Sequence, residues 1–221
     1  MSAESGLGTF RGAGGLWEGY DIMEVASIEG WHKNPQKVLE FYNMRRTAAL
    51  EAQPNAGHLT LAAMEAEFDI SIVTQNVDTL HEKAGSSRVI HLHGRLDQVR
   101  SSLHTRDIRD WPGDLLWGDL CESGSQLRPH IVWFGEAVPE YERAMEVVRT
   151  ADFFAVIGTS LQVYPAAGLI FEAPIHIPKY LIDPEPVSAS GLQALTTLRA
   201  TASEGVVEMR RLLNAWMTQN H

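Results

Sequence analysis

The length and composition of the chain suit one globular domain, or a core domain that carries a small lobe. Its 221 residues are 44% hydrophobic, and the formal charge of −10 argues against a nucleic-acid or anionic-membrane partner, because both are negatively charged. A single cysteine excludes an internal disulfide, and no apolar stretch follows a basic start at the N-terminus, so the sequence gives no support for secretion. No run approaches 18 apolar residues. We therefore expect a cytoplasmic protein without a membrane span.

The first part of the chain changes from a loop to helices. Residues 1–20 are rich in glycine and lack periodicity, so we predict a loop. From Pro35, which suits a first helical turn, Tyr42 and Arg45 lie among residues that recur at helical spacing. Residues 57–67 are rich in good helix formers and predict a second helix.

Four short apolar runs then indicate a parallel α/β sheet. Residues 68–76, 88–94, 152–160 and 179–185 are rich in β-branched and aromatic residues, and each run ends abruptly in polar or glycine residues. Helical segments between them favour a Rossmann-like sheet with helices on both faces. Because ligands bind at the carboxyl ends of such strands, the four polar ends predict one shared site. Residues 96–128 are weakly patterned and predict an inserted small lobe.

Polar residues at the ends of the first two runs suit chemistry at a sugar. Asn76 and Asp78 could hold a ribose and stabilise positive charge at a sugar carbon, although an Asx turn at a strand exit is the structural alternative. His93 ends the second run and could act as a general base, whereas a hydrogen-bonded core histidine is the more common case. His81 and His91 are weaker candidates.

The ends of the last two runs suit a nucleotide. Gly158, Thr159 and Ser160 supply a small residue and hydroxyl groups where a backbone must approach a ligand, but a full G-x-G-x-x-G fingerprint is missing. Asp183 could accept hydrogen bonds from a ribose diol, or could cap a turn before Pro184.

Tyr42 and Arg45 lie three residues apart on one predicted helix, so both can face the same way. An arginine at such a position is usually a solvated surface charge. If this helix lines a pocket, the guanidinium and the phenol would form a receptor for a carboxylate.

Together and in this order, these segments resemble the sirtuins, the NAD-dependent protein lysine deacylases. TQNVDTLHEKAG, VIHLHG and VIGTSLQVYPAAGL match segments of that family, and SAESGLGTFRG, PNAGHLTLAAME and RPHIVWFGE extend the likeness over nearly the whole chain. FYNMRR is similar to the class III branch that includes CobB-like and desuccinylase-like enzymes. The resemblance implies one catalytic domain over residues 1–221, with a helical insertion at about 17–60 and a small lobe at about 96–130.

The resemblance also implies roles for individual residues. His93 would deprotonate a ribose hydroxyl. The residues that would contact NAD are Ala3, Phe10, Arg11, Gln75, Asn76, Asp78, Gly158, Thr159, Ser160, Asp183, Pro184, Glu185 and Ala202. Tyr42 and Arg45 would bind the acidic end of succinyl or malonyl lysine. The substrate peptide would pair by β-augmentation with Val132, Trp133, Phe134 and Gly135.

The reaction implied by the resemblance consumes NAD and acts on acylated lysine side chains of proteins. The acyl oxygen attacks the nicotinamide ribose and releases nicotinamide, and the acyl group leaves the lysine as O-acyl-ADP-ribose. Two alternatives stay open: a weakly active or inactive binder of NAD or ADP-ribose, and a protein ADP-ribosyltransferase. Without the resemblance, the residues indicate only a doubly wound nucleotide-binding domain, and they say nothing of its oligomeric state.

Two features depart from the family pattern. Sirtuins usually hold a structural zinc on four cysteines of the small lobe, but here Cys121 and His104 supply only two soft ligands, so we predict no structural zinc. The chain also begins directly after the position of the family's first strand and Gly-Ala-Gly turn, so either the natural chain is longer or this form is weakly active or inactive. In place of the metal, we predict a small apolar core in the lobe, formed by Trp111, Leu115, Leu116 and Trp117.

Overall fold

The computed structural model describes residues 1–8, 16–187 and 192–220. The helices are α1 (Ile22–Val25), α2 (Ile28–Lys33), α3 (Pro35–Glu51), α4 (Ala56–Met64), α5 (Leu80–Lys83), α6 (Tyr141–Arg149), α7 (Leu169–Glu172) and α8 (Ala202–Asn220). The strands are β1 (Leu16–Trp17), β2 (Tyr20–Asp21), β3 (Ile72–Thr74), β4 (Val89–His91), β5 (Gly94–Ser101), β6 (Ile108–Asp110), β7 (Leu127–Ile131), β8 (Phe154–Ile157), β9 (Lys179–Ile182) and β10 (Leu195–Leu198).

The predicted α/β class with parallel strands is confirmed, and the four predicted runs form β3, β4, β8 and β9. These strands fall into two parallel sheets rather than one: β3 pairs with β4, and a second sheet has the order β10-β9-β8. The facing edges of β3 and β8 both line one cavity. The side chains of Phe68 and Phe153 stack edge to face at one end of this gap, with ring centroids 5.7 Å apart. At the other end, Gln75 Nε2 donates a hydrogen bond of 3.4 Å to Thr159 Oγ1.

Helices cover both faces of the parallel strands because alternate strand residues point in opposite directions. Ile72 packs in the apolar cluster that holds α4 and α8. Val73 and Ile90 pack instead in the cluster that holds α6 and α7. The strand ends are thereby fixed from both sides, which positions the polar residues that follow them.

Polar groups stabilise both ends of helix α3. Asn34 caps the first turn by accepting a hydrogen bond from the Lys37 N–H, and Pro35 occupies the first helical position. At the other end, Lys83 Nζ donates to the carbonyl oxygens of Ala49, Leu50 and Ala52 at 3.0, 2.8 and 3.2 Å. A cation is favourable there because free carbonyl groups give a helix C-terminus partial negative charge.

The weakly patterned lobe contains an antiparallel sheet of order β6-β5-β7. The predicted apolar core of the lobe is only partly right. Leu115 is fully buried and Trp111 packs against the main core, but Leu116 and Trp117 are 61% and 56% exposed. The lobe also contains a hydrogen-bonded cluster, in which Ser125 Oγ lies 2.6 Å from Ser101 Oγ and 2.9 Å from Cys121 Sγ.

The first residues are not the simple loop predicted for residues 1–20. Ser2–Ser5 form a 3-10 helix, and β1 and β2 form a short hairpin. The Glu4 carboxylate accepts hydrogen bonds from the N–H groups of Ala202 and Ser203 at 2.7 and 3.2 Å, and so caps α8. None of the helices in the described part of the chain combines the length and the apolar character that a membrane crossing requires.

Candidate active site

One cavity of about 810 Å³ joins the carboxyl ends of the parallel strands to α3 and to the segment after β7. The same cavity extends along the gap between β3 and β8 as far as Phe68 and Phe153, so the site at the strand ends occupies only part of this volume. It brings together most of the residues predicted from the sequence: Ala3, Tyr42, Arg45, Gln75, Asn76, Asp78, His93, Val132, Trp133, Phe134, Gly135, Gly158, Thr159 and Ser160. Phe10 and Arg11 lie outside the described residues, so their role stays a prediction.

His93 follows β4 and lines the cavity with its ring nitrogen Nδ1 3.2 Å from the Gln75 carbonyl oxygen. Burial lowers the pKa of His93, while this hydrogen bond acts in the opposite direction. The imidazole is therefore neutral at pH 7. With Nδ1 donating to the carbonyl, Nε2 is left with its lone pair, as a general base requires.

Hydrogen bonds hold Asn76 and Asp78, which line the same cavity as His93. The Asn76 amide donates to Ser2 Oγ at 2.7 Å, and its backbone N–H donates to Thr74 Oγ1 at 3.0 Å. Asp78 is 6% exposed and accepts a hydrogen bond from the Leu80 N–H at 3.1 Å, which is the Asx turn considered for this strand exit. Asp78 therefore forms the Asx turn and also lines the cavity.

Gly158 allows the backbone to approach Met1 closely at the cavity wall. Its φ is +65°, and a Cβ atom there would lie 2.6 Å from the Met1 nitrogen, so no other residue fits without rearrangement. The Gly158 N–H donates to the Ile182 carbonyl oxygen at 2.8 Å, which ties the turn to the end of β9. Thr159 accepts the bond from Gln75 described above, so the polar ends of β3 and β8 face each other.

Tyr42 and Arg45 both face the cavity from α3. Tyr42 is fully buried, and its hydroxyl accepts a hydrogen bond of 2.9 Å from Trp133 Nε1. Arg45 Nη1 donates to Glu18 Oε1 at 3.0 Å, and the Trp17 ring lies 4.8 Å from its guanidinium carbon. Burial lowers the pKa of Arg45 and the carboxylates of Glu18 and Asp78 raise it. The guanidinium is thus a buried cation and not the solvated surface charge that was the alternative.

The segment predicted to pair with a peptide lies beyond the end of β7. The N–H groups of this segment are already used. That of Val132 donates to the His93 carbonyl oxygen at 3.0 Å, and that of Phe134 donates to the Ala26 carbonyl oxygen at 2.9 Å. The Trp133 N–H donates to the Glu136 carboxylate at 2.9 Å. A peptide strand along this segment would have to pair with other backbone groups. Trp133 is 2% exposed, whereas Phe134 is 39% exposed and Gly135 is also exposed, so the surface of this segment lies at Phe134 and Gly135.

Four of the residues predicted to contact NAD, namely Asp183, Pro184, Glu185 and Ala202, are not among those that line the cavity. Asp183 is 2% exposed and accepts a hydrogen bond from the Glu185 N–H at 3.0 Å, which is the capped turn considered as its alternative. Ala202 is buried, and its N–H group donates to Glu4. Pro184 lies within the same turn. Contact of these four residues with NAD stays a prediction.

Comparisons with known proteins agree with this geometry. The model of the Sir2 family matches residues 1–165. The chain belongs to the Sir2 family. An NAD-dependent protein deacylase of Bacteroides thetaiotaomicron is 50% identical over 219 residues, with 96% of this chain and 94% of that protein covered. One of Helicobacter pylori is 51% identical over 209 residues, with 95% and 91% covered. A crystal structure of a Sir2 homologue in complex with NAD has a TM-score of 0.86 and 37% identity, with 97% and 86% covered.

Sequence reasoning misses several residues that line the cavity of this sirtuin or contact its wall. Trp17 and Glu18 contact Arg45, Ser2 holds the Asn76 amide, and Glu136 binds Arg128. Glu18 lies 27 residues from Arg45 and Ser2 lies 74 residues from Asn76, so no local spacing signals these contacts.

Proposed function

We propose that this sirtuin is an NAD-dependent protein lysine deacylase. The observation that carries the proposal is the shared cavity, in which a neutral imidazole, an amide and a carboxylate lie together at the carboxyl ends of β3 and β4. The names of the relatives, and the NAD held by the homologous structure, support the same reaction.

The chain's own groups fit the steps of this reaction. The oxygen of the acyl-lysine amide attacks the anomeric carbon of the nicotinamide ribose, and the bond to nicotinamide breaks. Asn76 and Asp78 stabilise the positive charge that develops at that carbon. His93 then takes the proton of a ribose hydroxyl, whose oxygen bonds to the acyl carbon. Addition of water and loss of the lysine amine complete the transfer, so that NAD, acyl-lysine and water become nicotinamide, lysine and O-acyl-ADP-ribose.

The preferred acyl groups are acidic, such as succinyl and malonyl. Arg45 supports this preference because it is a buried guanidinium in the cavity wall, with the Tyr42 phenol one turn away on the same helix. Burial raises the pKa of the Tyr42 phenol, so the group stays protonated and can donate a hydrogen bond to a carboxylate.

We further propose that the small lobe holds no structural zinc. Cys121 Sγ lies 3.0 Å from Ser123 Oγ and 2.9 Å from Ser125 Oγ, so hydroxyl groups surround the thiol where zinc would need thiolate or imidazole ligands. In the described residues no group of three or more His, Cys, Asp or Glu side chains could hold a metal ion. Metal analysis of the purified protein is expected to give less than a stoichiometric amount of zinc, and one equivalent would refute the proposal.

The experiment that tests the function incubates the purified chain with NAD and matched acetyl-lysine and succinyl-lysine peptides. Nicotinamide release and loss of the acyl mass from the peptide are expected together, and His93→Ala is expected to lower turnover by roughly 100- to 10,000-fold while NAD still binds. A mass gain on protein would instead indicate ADP-ribosyl transfer. Binding of NAD without turnover would indicate a binder.

Arg45→Met tests the acyl preference. Loss of a charged hydrogen-bond donor is expected to lower kcat/KM for the succinyl peptide by roughly 10- to 100-fold, with a much smaller effect on the acetyl peptide. Lys37→Met on the same helix is the matched control, since Lys37 pairs at the surface with Glu24. Equal losses for both peptides would remove the carboxylate-receptor role of Arg45.

A further inference from the structure

The Glu18 carboxylate contacts the Arg45 guanidinium. Its Oε1 accepts the 3.0 Å hydrogen bond from Arg45 Nη1, and the two side chains are 37% and 8% exposed. The cation is therefore buried, whereas the carboxylate reaches it from the solvent side. Arg45 Nε is buried and lacks a hydrogen-bond partner in the described part of the chain, so the guanidinium keeps further donor capacity.

The backbone around Glu18 fixes where its carboxylate points. Glu18 and Gly19 join β1 to β2 with φ values of +51° and +83°, the signs of a two-residue type I′ hairpin turn. The carboxylate packs against Gly8, where even a Cβ atom would lie 1.7 Å from Oε1. On the neighbouring side, the Trp17 ring covers the guanidinium. The hairpin turn, Gly8 and the Trp17 ring together hold Glu18 against Arg45.

We propose that Glu18 is a specificity-determining residue, an internal carboxylate that competes with the acyl carboxylate of the substrate for Arg45. This inference rests on the proposed function. A succinyl or malonyl group presents the same chemical group as Glu18, so it must displace Glu18 from the guanidinium or share the guanidinium with it. An acetyl group has no carboxylate and does not enter this competition. Glu18 thus acts through Arg45 as a positioning residue and sets how strongly acidic acyl groups are favoured.

The test measures KM and kcat for matched succinyl-lysine and acetyl-lysine peptides in Glu18→Gln, which removes the charge and retains the shape. The ratio of KM for the succinyl peptide to KM for the acetyl peptide is expected to fall by roughly fivefold, the size of a partly exposed ion pair. Glu24→Gln is the control, because it removes an ion pair with Lys37 at the surface of the same region. Its KM ratio is expected to match that of the parent chain.

Combination with Arg45→Met makes the test specific for the pair. If Glu18 acts through Arg45, Glu18→Gln is expected to leave the KM ratio of the Arg45→Met chain unchanged. An unchanged or higher ratio in Glu18→Gln alone would overturn the inference, as would an equal change in the KM of both peptides. The proposed acyl preference fails separately, if Arg45→Met alone affects both peptides equally.

Discussion

At the scale of single residues, the proposed role of His93 as general base predicts how the reaction responds to pH. Burial holds its pKa below the ordinary value of 6.5, and the hydrogen bond to Gln75 offsets only part of that effect. The neutral base therefore persists as the pH falls below 6.5, and it is lost only when the pH falls through the lowered pKa. We expect the acid limb of kcat to lie below pH 6.5.

The measurement follows kcat with the acetyl-lysine peptide, because its acyl group has no carboxylate that titrates in this range. An acid limb at or above the ordinary histidine value would contradict the buried, neutral state of His93.

The sequence identifies most residues at strand ends but not their partners. Asn76, Asp78, His93 and Thr159 were predictable because each directly follows an apolar run, and parallel strands bring their carboxyl ends to the same side. Glu18 was not predictable, since 27 residues separate it from Arg45 and the contact depends on a hairpin turn in a glycine-rich stretch.

At the scale of elements, Glu136 holds the segment after β7 in place. Its carboxylate accepts hydrogen bonds from Arg100 and Arg128 at 2.9 and 2.7 Å and from the Trp133 N–H at 2.9 Å. The Arg128 guanidinium also lies 3.4 Å from the centre of the Trp133 ring. Both arginine side chains are almost fully buried, so they depend on this one carboxylate for their charge balance.

Glu136→Gln is expected to lower the free energy of unfolding by roughly 3 kcal/mol, because it leaves two buried cations without a counter-charge. Urea denaturation monitored by tryptophan fluorescence measures the change. Glu140→Gln, which removes an exposed ion pair with Arg143, is the control and is expected to change stability by less than about 0.5 kcal/mol. Similar small losses in both variants would show that the buried pair contributes little.

Some helices and strands can be recognised from the sequence, and others cannot. Strands β3, β4, β8 and β9 are visible because their side chains are buried or half-buried on both faces and form apolar runs in the sequence. Strand β5 is not visible, because its buried positions include Arg100. An arginine in a sequence usually indicates a surface position, and the ion pair with Glu136 that allows its burial cannot be seen from the sequence. Helix α8 was missed although Val206, Met209 and Leu213 recur at helical spacing and are buried.

At the scale of the whole molecule, side chains and covering helices connect the two parallel sheets. No backbone ladder joins β3 to β8 in the described residues. A ligand that contacts residues 75–78 and residues 158–160 together would bridge the two sheets and hold them together. We expect ADP-ribose, which spans both groups in the proposed mode, to stabilise the fold by about 2.7 kcal/mol at 100 times its dissociation constant.

Thermal unfolding and amide hydrogen exchange test this expectation. ADP-ribose is expected to slow exchange in β3 and β8 alike, whereas AMP, which carries only the adenosine end, is expected to protect the β8 side alone. If ADP-ribose slowed amide exchange in only one of the two sheets, the bridging role of the ligand would be contradicted.

The Lys83 ammonium group over the last carbonyl oxygens of α3 has a consequence for a protein that works on modified lysines. Transfer of a succinyl group to Lys83 from a reactive thioester would convert the ammonium group into a neutral amide with a single N–H, so at least two of the three carbonyl oxygens would lose their donor. The added carboxylate would also bring negative charge near the negative end of the helix dipole. Modification of this one exposed lysine would thus weaken the last turn of the helix that carries Arg45.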